Sequence, residues 1–327
     1  MTEAQAPHSE AEVIGVLRRV FHQGRDVQLG IGDDAAVLAP AEGAVLVSTD
    51  MLVEGVDFDR SWASCLDIGW KSAAVNISDI AAMGAEPNAL VVSLEVPPQC
   101  GLDDIEELAR GVQEAIDALA PGASVVGGDL SSGAQMAVSV TVLGRLAAGE
   151  HAVTRAGARP GDVLAYWGKL GYAAAGLAVL RGGQVGSASA AALEACAAQL
   201  RPRPSVEAGR TAREYGATAM MDVSDGLAVD ASRMAGASEV TIRFDPTAFP
   251  KLVTGLGWTR YELGLDPWAL VFAGGEDFGL LATFPADDIP DGFLRLGTVE
   301  SPAYAPVLLG DRTLDYPEWD HFSGKRR

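Results

Sequence analysis

The stretch from Ala89 to Leu143 decides how this chain folds: ALVVSLEV at 89–96, then DDIEELARGVQEAIDAL at 103–119, then MAVSVTVL at 136–143. The first segment is a short apolar run of buried-strand length. In the second, Ile105, Leu108, Val112, Ile116 and Leu119 recur at helical spacing, and the third alternates with period two. Strand, helix and strand in succession predict α/β layers, not a bundle or a sandwich. Toward the N-terminus, AVLVST at 44–49 reads as another strand and 66–83 as another helix. Ser9 and Glu12 have capping-box spacing ahead of Val13, Leu17, Val20 and Phe21, so a helix is expected over 9–23, ending near Gly24. Toward the C-terminus, Arg159-Pro160-Gly161-Asp162 punctuates the chain before an apolar strand, Val163 to Trp167. Helices are expected at 172–181, 189–200, 205–215 and 226–236, strands near 217–222, 240–244, 269–273 and 279–284, and a surface loop from Gly182 to Ser189. The expectation is a layered α/β (α+β) chain of two domains, 1–150 and 151–327.

Of the 327 residues, 48% are hydrophobic and 21% charged, the composition of a globular chain. Lys and Arg number 24 against 44 Asp and Glu, a formal charge of −20. So acidic a chain is a poor partner for nucleic acid or an anionic membrane, and any phosphate it binds needs metal ions or a local basic patch. The three cysteines, Cys65, Cys100 and Cys196, have neither disulfide-framework nor zinc-cluster spacing, which fits a reducing compartment. Residues 1–12 carry acids and no signal-peptide core, and no uncharged stretch reaches membrane-spanning length; the expected location is the cytoplasm.

Acidic residues recur where an apolar segment meets glycine or another small residue: Gly32-Asp33-Asp34, Ser48-Thr49-Asp50, Asn76-Ile77-Ser78-Asp79, Gly127-Gly128-Asp129, Asp222-Val223-Ser224-Asp225-Gly226 and Gly274-Gly275-Glu276-Asp277. Any one of these is an ordinary turn or cap. Together they put carboxylates at the ends of buried strands with few Lys or Arg beside them, where an unpaired charge costs several kcal/mol. Mg²⁺ resolves this, since it takes hard oxygen ligands and sits between a few carboxylates and substrate phosphates. Gly30-Ile31-Gly32-Asp33-Asp34-Ala35 has dinucleotide-fingerprint spacing, but its two aspartates would face a pyrophosphate. There is no Walker loop, because Trp70 precedes Lys71-Ser72. His8, His22, His151 and His321 lie far apart without a zinc-hydrolase pattern. Arg155 is a candidate phosphate clamp, Lys169 a weaker one, and Trp319 either stacks on an aromatic ligand or docks the tail.

In this order, GIGDDAAVL, STDMLVEGVDF, WKSAAVNISDIAAMGAEP, GGDLSSG, TRAGARPGD, MDVSDGL, GGEDFGLL and a closing WDHF, the chain resembles the thiamine-monophosphate kinase family from about residue 28 to 322. That family lies in the superfamily of aminoimidazole ribonucleotide synthetase. The resemblance implies an N-terminal domain that binds ATP and magnesium and pairs its sheet across a homodimer, and a C-terminal α/β domain that completes the active site. It implies transfer of the γ-phosphoryl group of ATP onto thiamine monophosphate, without a dedicated catalytic side chain. Carried over by motif, Asp34, Ser48, Thr49, Asp50, Asp79, Asp129, Asp222 and Asp225 would hold magnesium. Gly128, Arg155 and Ser224 would contact ATP, and Asp57, Glu276 and Trp319 the thiamine substrate. Asp57 departs from the family, many of whose members carry histidine there; a carboxylate accepts hydrogen bonds and repels phosphate where histidine donates. The alternatives are another ATP-dependent synthetase of the superfamily and a non-catalytic nucleotide- or metal-binding protein. Selenophosphate synthetase and hydrogenase-maturation readings expect a terminal reactive cysteine, and residues 65, 100 and 196 do not supply one.

Overall fold

The computed structural model describes residues 10–31, 35–39, 42–285, 289–314, 316, 319–320 and 325–326. Two units emerge, Met1–Ile80 with Glu86–His151, and Ala81–Ala85 with Ala152–Arg327. The first contains α1 (Glu10–Val20), β1 (Val27–Leu29), β2 (Val37–Leu38), β3 (Val45–Val53), α2 (Cys65–Ala82), β4 (Glu86–Val96), α3 (Leu102–Leu119), β5 (Ser124–Ser132) and β6 (Ala137–Arg145). The capping residue expected for α1, Ser9, lies outside the described residues.

A four-stranded sheet in the order β3-β6-β4-β5 organises this unit, with β4 and β5 parallel and joined through α3, and the other pairs antiparallel. Side chains alternate across it. Leu52, Val138, Val140, Val142, Leu90 and Leu94 share one buried face. The opposite face of the edge strand β3 leaves Val45, Val47 and Met51 open, Val47 at 70% exposure. Helices α2 and α3 touch backbone to backbone: a Cβ on Gly69 would stand 2.0 Å from the Leu108 carbonyl oxygen, and one on Gly111 2.0 Å from that of Leu66. Only glycine at both positions allows so close a crossing. Strand β5 has no counterpart among the sequence expectations. Its SVVGGDLSS lacks the β-branched density of a strand, and its pairing along β4 holds it extended.

The second unit runs β7 (Val163–Trp167), α4 (Tyr172–Arg181), α5 (Ala190–Leu200), α6 (Val206–Glu214), β8 (Ala219–Asp222), α7 (Leu227–Ser238), β9 (Thr241–Phe244), α8 (Pro250–Gly255), α9 (Trp258–Glu262), α10 (Pro267–Ala273), β10 (Leu280–Phe284), β11 (Leu294–Glu300), β12 (Val307–Leu309), β13 (Arg312–Thr313), β14 (Trp319–Asp320) and β15 (Lys325–Arg326). Seven of these strands form one sheet, β13-β12-β9-β11-β7-β10-β8, in which only β12 and β9 pair in parallel. Leu164, Tyr166, Met221, Leu281 and Phe244 pack on one face with Leu227, Ala231 and Met234 of α7 and Phe272 of α10. On the other face Ala165, Met220, Ala282 and Phe284 meet Ala208 and Ala212 of α6.

The strand expected over 269–273 is instead the body of helix α10. Asp266 caps it by accepting from the Trp268 N–H, Pro267 occupies its first turn, and the apolar ALVFA run is buried as a helix face. A short apolar run does not distinguish a buried strand from a buried helix; the Asp-Pro start does. The expected loop over 182–189 contains a single turn of 3₁₀ helix at Val185–Ser187. Among the described residues no helix is long and apolar enough to cross a membrane.

Candidate active site

In the first unit, β3 aims Ser48 and Asp50 toward α2 and Thr49 the other way, as strand alternation requires. Ser48 Oγ donates to Asp79 Oδ2 at 2.6 Å, and the Asp50 N–H donates to Asn76 Oδ1 at 3.0 Å. Asn76 and Asp79 are three apart on α2 and so share a face. Asn76 is buried, its Nδ2 donating to the Ser72 carbonyl at 2.9 Å. Partial desolvation of its carboxyl raises the Asp50 pKa above the usual aspartate value although the residue stays accessible. The Thr49 hydroxyl is committed to the sheet's opposite face, bonded to the Val140 carbonyl and to Thr141 Oγ1.

Gly128 and Asp129 stand on β5, Asp129 exposed and in register with Ser93 of β4. A Cβ on Gly128 would meet the Val92 carbonyl oxygen at 1.9 Å, so the bare backbone is a packing requirement. Asp57 closes the turn after β3: its Oδ2 accepts from the Val53 N–H at 2.8 Å, and its carbonyl accepts from the buried Lys71 Nζ at 3.3 Å. Asp34 lies outside the described residues.

In the second unit two sequence-distant segments brace each other. The Glu276 N–H donates to the Ser224 carbonyl at 2.7 Å, that of Phe278 to Val223 at 3.0 Å, and that of Val223 to Gly279 at 2.8 Å. Asp222, at the end of β8, leads into this junction, so Asp222, Ser224, Asp225 and Glu276 are brought together. Glu276 and Phe278 sit at φ 65° and 49°, left-handed conformations that cost a non-glycine residue about 1–3 kcal/mol and persist where their surroundings impose them. The cross-bracing supplies that imposition.

Asp230, which the sequence reading passes over, builds the loop. It is fully buried in the first turns of α7, and its Oδ2 accepts from the N–H groups of Ser224, Asp225 and Gly226 at 3.1, 3.0 and 3.2 Å. Its Oδ1 accepts from Arg233 Nη1 at 3.0 Å, and the same guanidinium pairs with Asp225. Burial pushes the Asp230 pKa up to about 6 against these donors. Asp277 does the same for α4: its oxygens accept from the Gly171 N–H at 2.6 Å and the Ala173 N–H at 3.0 Å, and desolvation raises its pKa to about 7. Both place a carboxylate at a helix start, Asp230 from inside its own helix and Asp277 from a segment distant in sequence.

Arg155 is exposed, and its carbonyl accepts from Ser238 Oγ at 3.2 Å while the neighbouring Thr154 carbonyl accepts from the Met220 N–H at 2.9 Å. Its backbone therefore lies beside the start of β8 and the end of α7, opposite the ends that carry Asp222 and Ser224. Lys169 pairs with Glu194 and sits 5.1 Å from the Tyr172 ring centroid. Trp319 is placed in the short β14–β15 pair by its backbone, and its side chain lies outside the described structure. Among the described residues no three carboxylate, imidazole or thiol side chains converge as a metal cage. In the first unit Ser48, Asp50, Asp79 and Asp129, and in the second Asp222 and Asp225, carry hard oxygen atoms, the ligand type that Mg²⁺ takes.

Residues 32–146 match the family described as AIR synthase related protein, N-terminal domain, and residues 159–296 its C-terminal domain. The chain is 38% identical over 313 residues to thiamine-monophosphate kinase of Mycobacterium tuberculosis, covering 96% of this chain and 91% of that one. It is 36% identical to the Bacillus subtilis enzyme of the same name over 81% and 80% of the two chains. Among solved structures, thiamine monophosphate kinase from Aquifex aeolicus superposes with TM-score 0.75 at 31% identity, over 85% of this chain and 91% of that one. AaThiL complexed with AMPPCP and TMP superposes with TM-score 0.78 at 31% identity, over 89% and 92%. The hydrogenase maturation protein HypE of E. coli, at 20% identity and TM-score 0.72 over 94% of this chain and 97% of that one, shares the fold alone. With both halves matched and relatives this similar along nearly the whole chain, the protein is a mixed α/β enzyme of the AIR synthase-like fold and belongs to the thiamine-monophosphate kinase family.

Proposed function

We propose that this enzyme phosphorylates thiamine monophosphate with ATP, a phosphate oxygen of the acceptor attacking the γ-phosphorus in line while ADP departs, to give thiamine diphosphate. The observation that carries this reading is the likeness to AaThiL complexed with AMPPCP and TMP, at 31% identity over 89% of the chain. The braced junction of Ser224, Asp225 and Glu276 agrees with it, because it offers nucleotide-side and substrate-side groups at one rigid place. No general base is needed. The acceptor oxygen is already anionic, and a loose phosphoryl-transfer transition state asks for positioning and charge neutralisation.

Bound magnesium ions would supply that neutralisation, held in the first unit by Asp34, Ser48, Asp50, Asp79 and Asp129 and in the second by Asp222 and Asp225; Thr49, expected among them, turns its hydroxyl to the other face of the sheet. The Ser48–Asp79 hydrogen bond and the Asn76 contact to the Asp50 backbone hold the first-unit donors ready, and Arg233 holds Asp225. Gly128, Arg155 and Ser224 serve ATP; Asp57, Glu276 and Trp319 serve thiamine. The open apolar face at Val45, Val47 and Met51 supports a homodimer through this sheet. Three buried free cysteines support a cytoplasmic location. Incubation with ATP, magnesium and thiamine monophosphate is expected to yield thiamine diphosphate, and a chelator to abolish it. ATP turnover without that product would overturn the substrate; undiminished product in chelator would overturn the metal.

A further inference from the structure

We propose that Gln199 is a positioning residue that aims Glu276 at the thiamine half of the substrate, so that this pair sets substrate-side affinity. The proposal rests on the thiamine-monophosphate reading above and adds to it a residue that no sequence motif marks. Gln199 lies in the last turn of α5, 1% exposed. The other buried residues of that helix are Ala192, Ala195 and Cys196, small groups that pack against α4, where a Cβ on Gly176 would meet the Ala195 carbonyl oxygen at 2.0 Å. A long polar side chain is out of keeping with that face.

Gln199 Nε2 donates to Glu276 Oε2 at 2.7 Å. A carboxylate only accepts, so the orientation of the amide is fixed with nitrogen toward Glu276, and Oε1 is left in the interior with no hydrogen-bond partner among the described residues. A buried acceptor without a partner disfavours folding, and an apolar side chain of the same length would avoid it. What Gln199 provides in return is a charge-assisted bond to a residue already held at φ 65° and fastened through its N–H to Ser224. With backbone and one carboxylate oxygen both fixed, Glu276 presents its charge in one direction. Thiamine offers a carboxylate two complements, the cationic thiazolium ring and the N–H groups of its aminopyrimidine.

The test compares wild type, Gln199→Met and Gln199→Glu by steady-state kinetics with thiamine monophosphate and ATP varied separately, alongside melting temperatures. Gln199→Met is expected to raise the KM for thiamine monophosphate about tenfold while leaving the KM for ATP within about twofold. Gln199→Glu places two carboxyl groups together, which drives one pKa upward. Its KM for thiamine monophosphate is therefore expected to be high at pH 8 and to fall toward the wild-type value near pH 6, as one carboxyl takes a proton and donates it to the other. A purely structural glutamine would give a lower melting temperature with an unchanged KM and no such pH recovery, and that result overturns the proposal. Should Gln199→Met not fold, the pH profile of Gln199→Glu decides alone. Wild type that neither binds nor converts thiamine monophosphate defeats the functional reading itself; wild type that converts it beside an unperturbed Gln199→Met defeats only the positioning role.

Discussion

At Asp230 one carboxylate oxygen organises three successive backbone N–H groups, and the loop so formed carries Ser224 and Asp225. Asp230→Ala is expected to cost roughly 3 kcal/mol in urea denaturation, since each orphaned N–H costs about 1–3 kcal/mol and entering water offsets part of it. It should also lower kcat/KM for ATP by about tenfold or more; unchanged stability and kinetics would contradict the role. Asp277 makes a pH prediction. Its pKa is raised from the usual aspartate value to about 7, so its contribution to stability is full below about pH 4 and is lost as pH rises through about 7. Asp277→Asn removes the titrating group. The stability difference between wild type and this variant should therefore fall, by up to roughly 1 kcal/mol per unit, as pH is raised from 4 to 7. A difference that stays flat across that range would remove the account of Asp277.

Helices α2 and α3 owe their contact to Gly69 and Gly111, each facing a carbonyl oxygen of the other helix. Gly111→Ala forces a methyl group to within 2.0 Å of the Leu66 oxygen unless the helices part, and a cost of about 3 kcal/mol is expected in chemical denaturation. A variant as stable as wild type would mean that the crossing is looser than described. Periodicity made α3 and β6 readable, because each buries one face, while β4 was readable as a short apolar run and α2 is buried almost all round. It failed for β5, where glycine, serine and aspartate are held extended by a neighbour, and for α10, where a buried helix carries the composition of a strand. The site divided in the same way. Acidic residues at strand ends were visible as a pattern, whereas Asp230 acts on a loop, Asp277 between distant segments and Gln199 from a helix onto a loop, through contacts that spacing does not encode.

For the whole molecule, a charge of −20 and a substrate pair that is itself anionic make neutralisation the governing requirement of the proposed reaction. The open apolar strip on β3 belongs to the same scale. A solution mass near twice 33.9 kDa is expected by light scattering, and a lysine at Val47 or Met51 is expected to reduce it to the single-chain value. A wild-type mass of one chain would remove the dimer. The central claim, transfer of the γ-phosphoryl group of ATP onto thiamine monophosphate, is most directly tested by following the label from ATP carrying ³²P at the γ-position in the presence of thiamine monophosphate and magnesium. The label is expected to appear in the terminal phosphate of thiamine diphosphate, one for each ADP formed. Label recovered only as inorganic phosphate would contradict it.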